Sequence, residues 1–422
     1  MNRRVVITGL GVVAPNAVGI ADFRSAVKTG KSGIRFIPEL RDLNFSCQIA
    51  GMPQLSDDVI QSVFSALELR NFNASGIMYG VLAGMEAWND AGLSPSDDPD
   101  WDSGTIFGVG TSGSDKFRES IYKIDAKEPR KLGSTAVSQT MSSGVSAMLG
   151  GKLGLGNQVT TNSSACTTGT ESIIMAYERI KNGHAKRMIA GSTSDSGPYI
   201  WAGFDAMKVC TFRHNDSPET GSRPMSATAS GFVPGSGAGA LVLEDLETAI
   251  ARKARIYCEV LGGNVNSGGQ RGAGTMTAPN PEAVKRCIRK AVENAGIDSR
   301  EIDLINGHLT ATAKDGLEVV NWTEALQRRG KNFPYINSLK GMVGHCLAGA
   351  GSIESVAAVL QLCGGFVAPN RNCDDIHPEI AAVIDPSCVP TQLIEKELNI
   401  VAKASFGFGD VNACVIFKKY NQ

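Results

Sequence analysis

Short apolar runs alternate along the chain with longer segments in which apolar residues recur every three or four positions. The short runs are rich in β-branched residues, which is typical of buried strands, and the longer segments have the spacing of helices that bury one face. Predicted strands cover residues 4–8, 105–109, 158–162, 187–190, 239–244, 256–262, 304–308, 335–337, 400–405 and 413–418. Predicted helices include residues 60–67, 75–91, 169–181, 281–295, 315–326 and 349–362.

This alternation predicts an α/β fold in which mostly parallel sheets are buried between helices. The chain also resembles itself. The segment that begins at Gly169 is similar to the one that begins at Gly349, and each follows a short strand and a turn of small residues. We therefore predict a duplicated α/β unit, with an N-terminal half at residues 1–250 and a C-terminal half at 251–422 that share one core.

Composition excludes several classes of function. The 422 residues carry a net charge of −1, which gives no basic surface for nucleic acid. The ten cysteines show neither a CxxC pair nor a Cys/His zinc spacing, which favours a reduced, cytosolic compartment and no metal site. We find no apolar stretch long enough to predict a membrane span. Residues 9–14 resemble a dinucleotide motif, but Pro15 stands where its helix should begin, so no such cofactor is expected.

Cys166 is the first candidate for chemistry. It lies where a short β-branched run turns through small residues into the predicted helix at 169–181. A helix N-terminus offers free N–H groups and a positive field, from which we expect a lowered thiol pKa and a nucleophilic thiolate. The alternative is a buried structural thiol, which is the usual state of a cysteine in an apolar core.

Two of the five histidines, His308 and His345, lie in glycine-rich turns far downstream, and Lys340 precedes the second. Imidazoles beside a cysteine are the usual partners of a nucleophilic thiol. The alternatives stay open at this point: each histidine could be a hydrogen-bonded turn residue, and Lys340 could be a solvated surface lysine.

Four motifs occur together in one order. They are Cys166 in its frame of Ser, Ala and Thr, His308-x-Thr310-x-Thr312, Asn337-Ser338-x-Lys340-x-x-x-Gly344-His345, and Ser405-Phe406-Gly407-Phe408-Gly409. In this order and spacing the chain resembles the elongating β-ketoacyl-acyl carrier protein synthases with a Cys-His-His centre, over essentially its whole length. The resemblance implies a thiolase fold, in which a duplicated α/β unit forms a five-layered α-β-α-β-α core, usually as a dimer.

The resemblance also implies a reaction. Cys166 would accept an acyl chain from a carrier protein, and a malonyl-carrier protein would then lose CO2 and extend that chain by two carbons. His308 and His345 would stabilise the enolate that decarboxylation forms. The backbone N–H groups of Cys166 and Phe408 would form the oxyanion hole of the condensation step.

The resemblance assigns supporting roles to five further positions. Lys340 would tune the protonation and hydrogen bonds of the histidines, and Glu354 would be the supporting acid. Thr310 and Thr312 would bind the pantetheine arm. Phe408, which stands between two glycines, would be the gate between the acyl pocket and the malonyl entry.

The resemblance further implies an acidic acyl carrier protein as partner. Arg130, Lys131 and Arg213 match basic positions that the family uses to dock it. No cofactor is expected beyond the phosphopantetheine that carries the substrates. We expect a homodimer, and a heterodimer with a related ketosynthase-like chain is the open alternative.

The sequence departs from the family pattern at several places. Leu309 replaces a glycine, which we expect to stiffen its loop and to place an apolar side chain near the arm. Three usual charges are missing from the segment 223–232, Ser236 replaces an acidic residue, and Asp410 replaces a glycine. These changes predict a divergent branch that serves a polyene or aromatic polyketide pathway.

The sequence allows two interpretations other than an elongating synthase. A thiolase-like acyltransferase that uses coenzyme A would need a second catalytic cysteine in a Cys-x-Gly turn, and Cys414 in its strand-like run does not fit that role. A chain-length partner subunit of a ketosynthase heterodimer usually lacks the nucleophile. The presence of Cys166, His308 and His345 opposes this second alternative.

Overall fold

The computed structural model of the protein describes residues 3–421. Its strands are β1 (Val5–Ala14), β2 (Ala17–Val18), β3 (Ile34–Phe36), β4 (Ile49–Gly51), β5 (Ser103–Val109), β6 (Val159–Thr160), β7 (Arg187–Ser194), β8 (Gly237–Asp245), β9 (Cys258–Ser267), β10 (Leu304–Asn306), β11 (Tyr335–Asn337), β12 (Phe366–Val367), β13 (Ile394–Glu395), β14 (Ile400–Gly407) and β15 (Val411–Lys419). Its α-helices are α1 (Ile20–Thr29), α2 (Pro38–Asp42), α3 (Asp57–Gln61), α4 (Ser75–Asp90), α5 (Ser114–Asp125), α6 (Ala136–Thr140), α7 (Gly144–Leu153), α8 (Thr168–Lys181), α9 (Pro198–Ala206), α10 (Leu246–Ala251), α11 (Pro281–Ala295), α12 (Asp315–Leu326), α13 (Lys340–Val343), α14 (Ala350–Gly364) and α15 (Pro378–Ala381).

The strand order repeats between the two halves of the chain. The N-terminal half runs β1-β8-β7-β5-β6 and the C-terminal half runs β9-β15-β14-β10-β11. In each half the first two pairings are antiparallel and the last two are parallel. The two halves join where β1 pairs with β9. Strand for strand, the topology therefore has the duplication that the sequence repeat indicated.

Five layers result from this duplication. Helices α8 and α14 form the middle layer and pack against both half-sheets, while α4 and α7 cover one outer face and α11 and α12 cover the other. Helix α14 is buried on nearly all sides, as its almost unbroken run of buried residues shows. This is the α-β-α-β-α arrangement that the resemblance implied.

The ten predicted strands are all present, although several are longer or shorter than expected. Two predictions were wrong. The sheets are not mostly parallel, because each half contains as many antiparallel pairings as parallel ones; β14 and β15, for example, are joined by the short turn at residues 408–410 and must form a hairpin. The predicted helix at 60–67 is only the end of α3 followed by turns. There the Ser65 N–H donates to the Glu68 side chain at 2.8 Å, so it is not available for a helical hydrogen bond to the backbone.

One helical stretch within the described residues, Leu347–Gly364, has the length and hydropathy of a membrane span. Of that stretch, 89% is buried inside the protein. It contains α14, the middle-layer helix, so its apolar character is explained by packing between the two half-sheets.

The two middle helices approach each other so closely that glycine is required at the crossing. A Cβ on Gly169 would lie 2.3 Å from the backbone nitrogen of Ser352 and 2.4 Å from Ser192 Oγ. Since real Cβ atoms do not come that close to backbone, a larger residue would force α8 and α14 apart.

We therefore expect Gly169→Ala to lower the free energy of unfolding by about 1–3 kcal/mol, as overpacked core substitutions do. Denaturant unfolding followed by circular dichroism measures this. Gly151→Ala is the matched control, because Gly151 is also helical and its Cβ would meet open space; it should be neutral or slightly stabilising. Equal effects of the two substitutions would contradict the close crossing.

Candidate active site

Cys166 lies at the bend between β6 and α8, in a single 3-10 turn, Ala165–Thr167. The residue before it, Ala165, has φ of 50°, a left-handed conformation that non-glycine residues rarely adopt. Such local strain is found where a side chain must be held in one direction. The thiol is only 8% exposed.

Both candidate histidines face this thiol. His308 follows β10, and His345 follows α13, which itself comes after β11. The Cys166 Sγ and one ring nitrogen of each histidine all lie within 4.8 Å of one another. The two imidazole rings are 5.4 Å apart and nearly perpendicular. The structure thus brings together three residues that are far apart in the sequence.

The hydrogen bonds of His345 fix its tautomer. The backbone N–H of Leu347 donates to His345 Nδ1 at 3.2 Å, so the neutral ring carries its proton on Nε2. His308 Nδ1 has no hydrogen-bond partner among residues 3–421. A neutral imidazole with the proton on Nε2 is a hydrogen-bond donor toward the site.

Burial lowers the pKa of both His308 and His345 well below the usual value, because a charged imidazolium would lose its hydration. The nearby Lys340 ammonium lowers both pKa values further. The imidazoles are therefore neutral at pH 7. Neutral imidazoles can donate a hydrogen bond to a developing oxyanion without first giving up a proton.

The thiol does not have the lowered pKa that the helix N-terminus led us to expect. Burial raises the pKa of Cys166 to about 11, even though the Lys340 charge and the Phe408 N–H both lower it. The loss of hydration in this enclosed position outweighs the field of the helix. Cys166 is accordingly a thiol at rest.

The backbone N–H groups of Phe408 and of Cys166 itself both lower the pKa of the thiol, because each favours the negatively charged sulfur. The turn that carries Phe408 is packed tightly against the nucleophile, since a Cβ on Gly407 would lie 3.1 Å from the Cys166 nitrogen. Two backbone donors beside a thiol are groups of the kind that form an oxyanion hole. These are the two groups that the resemblance assigned to it.

Lys340 and Glu354 are buried together beneath the histidines, each only 1% exposed. Lys340 Nζ contacts Glu354 Oε1 in an ion pair and donates to the carbonyl oxygen of His308 at 2.7 Å. Lys340 is therefore not a surface lysine. It holds the backbone of one histidine and acts on both rings through its charge.

Phe408 stands between two cavities. The larger, of about 400 Å³, is lined by both histidines and by Thr310 and Thr312. The smaller, of about 250 Å³, extends on the other side of Cys166 past Ala348. The Phe408 ring belongs to the wall of both. It occupies the position that a gate between two substrate pockets would need.

The basic residues proposed for docking lie apart from these cavities. Arg130, Lys131 and Arg213 are all exposed, and Lys131 forms an ion pair with Glu128 at 2.7 Å. Geometry within the chain does not connect them to Cys166. Their role in binding a partner stays a prediction.

Sequence reasoning missed two buried acids that hold the His308 loop. Glu318 accepts the N–H groups of His308 and Leu309 at 2.7 and 2.8 Å, and Asp315 accepts those of Thr310 and Ala311 at 2.9 and 3.0 Å. Burial raises the pKa of Glu318 to about 7. The sequence did contain a signal for them, because Asp315 and Glu318 stand three positions apart shortly after the turn that carries His308.

One part of the expectation for Leu309 was wrong, and the other, a stiffer loop, stays a prediction. The φ of Leu309 is 28°, a conformation suited to glycine. The side chain, however, is fully buried in the C-terminal core with Ile305 and Val319, and does not face the arm cavity. The apolar core beneath the loop attracts the side chain away from solvent.

Asp410, which replaces a glycine of the pattern, ties the turn that carries Phe408 to a neighbouring loop. Its carboxylate accepts the N–H groups of Gln270 and Asn280 at 3.0 and 2.7 Å. The Gly409 N–H donates to the carbonyl of Met276 at 2.8 Å. The loop at 268–280 is thus held against the turn at 408–410.

The sulfur and the two ring nitrogens are also a donor set that Zn²⁺ could accept. The resemblance to the synthases instead implies that the same atoms are a nucleophile and two hydrogen-bond donors. The expectation that this site holds no metal stays a prediction.

The raised thiol pKa predicts how Cys166 reacts with pH. Because only the thiolate is alkylated, the rate of iodoacetamide labelling at Cys166 should keep rising tenfold per pH unit beyond pH 9. Mass spectrometry of the peptide that contains Cys166 measures this site separately from the exposed Cys363. A plateau near pH 8 would contradict a thiol whose pKa is about 11.

Comparison with known proteins shows the family to which the chain belongs. Residues 2–249 match the family described as beta-ketoacyl synthase, N-terminal domain, and residues 257–374 match beta-ketoacyl synthase, C-terminal domain. The chain is 34% identical to 3-oxoacyl-(acyl-carrier-protein) synthase 2 of Vibrio harveyi, over 99% of both chains. It is 33% identical to 3-oxoacyl-(acyl-carrier-protein) synthase 1 of Escherichia coli K12, again over 99% of both.

Solved structures show the same fold over the whole chain. The ishigamide ketosynthase/chain length factor superposes with a TM-score of 0.87 at 27% identity, and covers 100% of both chains. The ketosynthase of AntDE:AntF, a complex with a type II polyketide synthase acyl-carrier protein, superposes with a TM-score of 0.88 at 27% identity over 100% of both chains. By sequence match, fold and site, the chain belongs to the beta-ketoacyl synthase family.

Proposed function

We propose that the protein is a β-ketoacyl-acyl carrier protein synthase that condenses an acyl chain on Cys166 with a malonyl unit and releases CO2. The observation that carries this proposal is the cluster of one thiol and two neutral imidazoles within 4.8 Å, beside two backbone donors. This set supplies a nucleophile, an enolate-binding pair and an oxyanion hole in one enclosed site.

The first half-reaction is acyl transfer. The Cys166 sulfur attacks the carbonyl carbon of the acyl-carrier thioester, and the N–H groups of Cys166 and Phe408 stabilise the tetrahedral oxyanion. The bond to the carrier sulfur then breaks, and the carrier leaves as a thiol with the proton that Cys166 gave up. A buried thiol suits this exchange because it is acylated only when the carbonyl is delivered next to it.

The second half-reaction begins with malonyl-carrier protein. The bond to its carboxylate breaks, CO2 leaves, and the electron pair moves into an enolate whose oxygen accepts hydrogen bonds from His308 and His345. The enolate carbon attacks the acyl-Cys166 carbonyl. Collapse expels the thiolate, which takes up one proton, and the product is a β-ketoacyl thioester longer by two carbons.

We assign each of the two cavities to a different part of the substrates. The larger cavity, with Thr310 and Thr312 in its wall, suits the pantetheine arm, and the smaller one suits the acyl chain. Because the substrates arrive as thioesters on phosphopantetheine, the proposed reaction calls for no further cofactor. We also propose a cytoplasmic location, which the ten free cysteines support.

The partner that we propose is an acyl carrier protein, for which Arg130, Lys131 and Arg213 offer exposed positive charge. Two of the similar proteins carry the acyl-carrier protein in their names, and one of the similar structures is a complex with such a protein. We further propose that the substrate is a polyene or aromatic polyketide chain. The departures at Ser236 and Asp410, and the likeness to the ketosynthase in a complex with a type II polyketide synthase acyl-carrier protein, support this branch.

We propose that the protein functions as a dimer of ketosynthase-fold subunits. Helix α5 exposes an apolar stripe at helical spacing, in which Phe117, Ile121 and Ile124 are each more than half exposed. Strand β6 lies at the edge of the sheet with an unpaired side. An apolar stripe and an open sheet edge are features that a partner subunit covers. One of the similar structures is a ketosynthase with a chain length factor, so the partner could be a second copy or a related chain.

Intact-protein mass spectrometry tests the reaction. Incubation with a panel of saturated, unsaturated and aryl-primed acyl-carrier proteins should give an acyl adduct on wild type and none on Cys166→Ala. Added malonyl-carrier protein should then discharge the adduct as a product two carbons longer. We expect unsaturated or aryl primers to react at least as fast as saturated ones of equal length.

The matched control is Cys363→Ala, which removes an exposed thiol that lines neither substrate cavity and should leave the adduct unchanged. An equal adduct on Cys166→Ala would overturn the nucleophile. No adduct with any primer would favour a chain-length partner subunit. Preference for saturated primers would overturn the polyene branch alone.

Light scattering after size-exclusion chromatography tests the dimer. The wild type should elute as a dimer, and Ile121→Asp should dissociate it, because a carboxylate would replace apolar contact at the interface. Lys253→Asp, at an exposed site elsewhere, is the control and should remain dimeric. A wild type that is monomeric alone but dimeric when co-expressed with a ketosynthase-like chain would replace the homodimer by a heterodimer.

A further inference from the structure

A second lysine, Lys403, is fully buried in the middle of the C-terminal half-sheet. It lies on β14, where it is paired in register with Asn306 of β10. Its Nζ lies 2.9 Å from Glu354 Oε2 and 3.1 Å from Ser405 Oγ, and also contacts the carbonyl of Ala404. Burying a charged lysine away from water costs free energy, so its contacts have to compensate for the lost hydration.

Glu354 is bridged by two lysines, one on each oxygen. Oε1 contacts Lys340 and Oε2 contacts Lys403. Lys340 in turn donates to the carbonyl of His308. A continuous chain of contacts therefore runs from β14 through the carboxylate to the backbone of a histidine in the site.

A second branch leads from Lys403 to the nucleophile helix. Ser405, which Lys403 contacts, shares a hydrogen bond of 2.9 Å with Thr170 in the first turn of α8. Lys403 thus touches the supports of both the thiol and the histidine, although its own side chain does not line either substrate cavity.

We propose that Lys403 is a positioning residue for the condensation: it holds Glu354 as a doubly paired carboxylate and, through it, fixes Lys340 and the His308 backbone. The inference deepens the proposed function and rests on it. Among Lys340, Lys403 and Glu354 alone, two ammonium groups and one carboxylate leave a surplus of one positive charge. That surplus opposes protonation of the imidazoles and favours the negative charge of the enolate.

Several charged or titratable groups surround Lys403. They are Glu354 on α14, Lys340 on α13, Glu318 on α12, Cys414 on β15, and His308 and His345. The Lys403 charge is among the causes that lower the pKa of both histidines, after burial and Lys340. Removing it should therefore let both imidazoles take up a proton at higher pH than in the wild type.

The direct test needs no turnover. With only five histidines in the chain, histidine-labelled protein allows the ring signals of His308 and His345 to be followed by NMR against pH, assigned with His→Gln variants. In Lys403→Met both titrations should move to higher pH, and in Lys403→Arg, which keeps the charge, they should stay near the wild-type position. Lys418→Met, which removes an exposed lysine of the same sheet, should leave them in place.

The activity readout separates positioning from simple stability. In Lys403→Met, malonyl-carrier decarboxylation at pH 6 should fall at least about tenfold while acylation of Cys166 falls less, because only decarboxylation depends on two neutral imidazoles. The acidic limb of the decarboxylation profile should move to higher pH. An inactive wild type would refute the proposed function and leave the NMR result for Lys403 intact.

Unmoved histidine titrations, with both half-reactions reduced equally, would overturn the proposal and leave Lys403 a structural residue. If Lys403→Met does not fold, Lys403→Gln is used in the same test, because its side chain stays polar while the charge is gone. Shifted titrations in that variant support the proposal, and unshifted ones overturn it.

Discussion

The close crossing of helices α8 and α14 is the constraint on which the rest of the structure depends. Backbone meets backbone where Gly169 approaches Ser352, and Gly351 approaches Thr170 in the same way. Because these helices form the middle layer between both half-sheets, the residues at their N-terminal ends are brought together and enclosed. Cys166 stands at the start of one helix, and His345 lies shortly before the other. The duplication of the fold thus produces one site from two equivalent helix ends.

Enclosure sets the electrostatics of that site. Loss of hydration raises the pKa of the thiol and lowers the pKa of both imidazoles, so the three reacting groups are uncharged at rest. The charge needed to stabilise an enolate or an oxyanion then has to come from fixed groups around them. Backbone N–H groups and the buried Lys340 supply it without first being reorganised. Neutral reacting groups inside a fixed, slightly positive frame suit a reaction whose intermediates are anions.

The sequence predicted the strands and the cluster of Cys166, His308 and His345 better than it predicted their environment. The strands have a local signal, which is a β-branched run bounded by glycine, and the three residues stand in short motifs that are visible in the sequence. The helix at 60–67 failed because the Glu68 side chain competes for a backbone N–H, which periodicity does not register. Parallel and antiparallel pairing depends on how distant strands meet, which no local pattern contains.

The sign of the thiol pKa shift could not be predicted for a similar reason. A helix N-terminus is visible in the sequence, but the burial that outweighs it is contributed by residues from both halves. Lys403 stands in an apolar strand, and the local pattern gives no sign that it is buried. Its ion-pair partner Glu354 lies on a helix that is distant in the sequence, so the pairing is visible only in the structure.

The turn at 408–410 shows how the departures from the family pattern act together. Phe408 separates the two cavities, and Asp410 binds its turn to the loop at 268–280 through Gln270 and Asn280. Thr277 and Pro279 of that loop line the larger cavity. Any movement of Phe408 that displaces Asp410 must therefore break these hydrogen bonds or carry the loop with it. A glycine at position 410 would have no such side-chain link. The aspartate therefore couples Phe408, which separates the cavities, to the wall of the larger cavity.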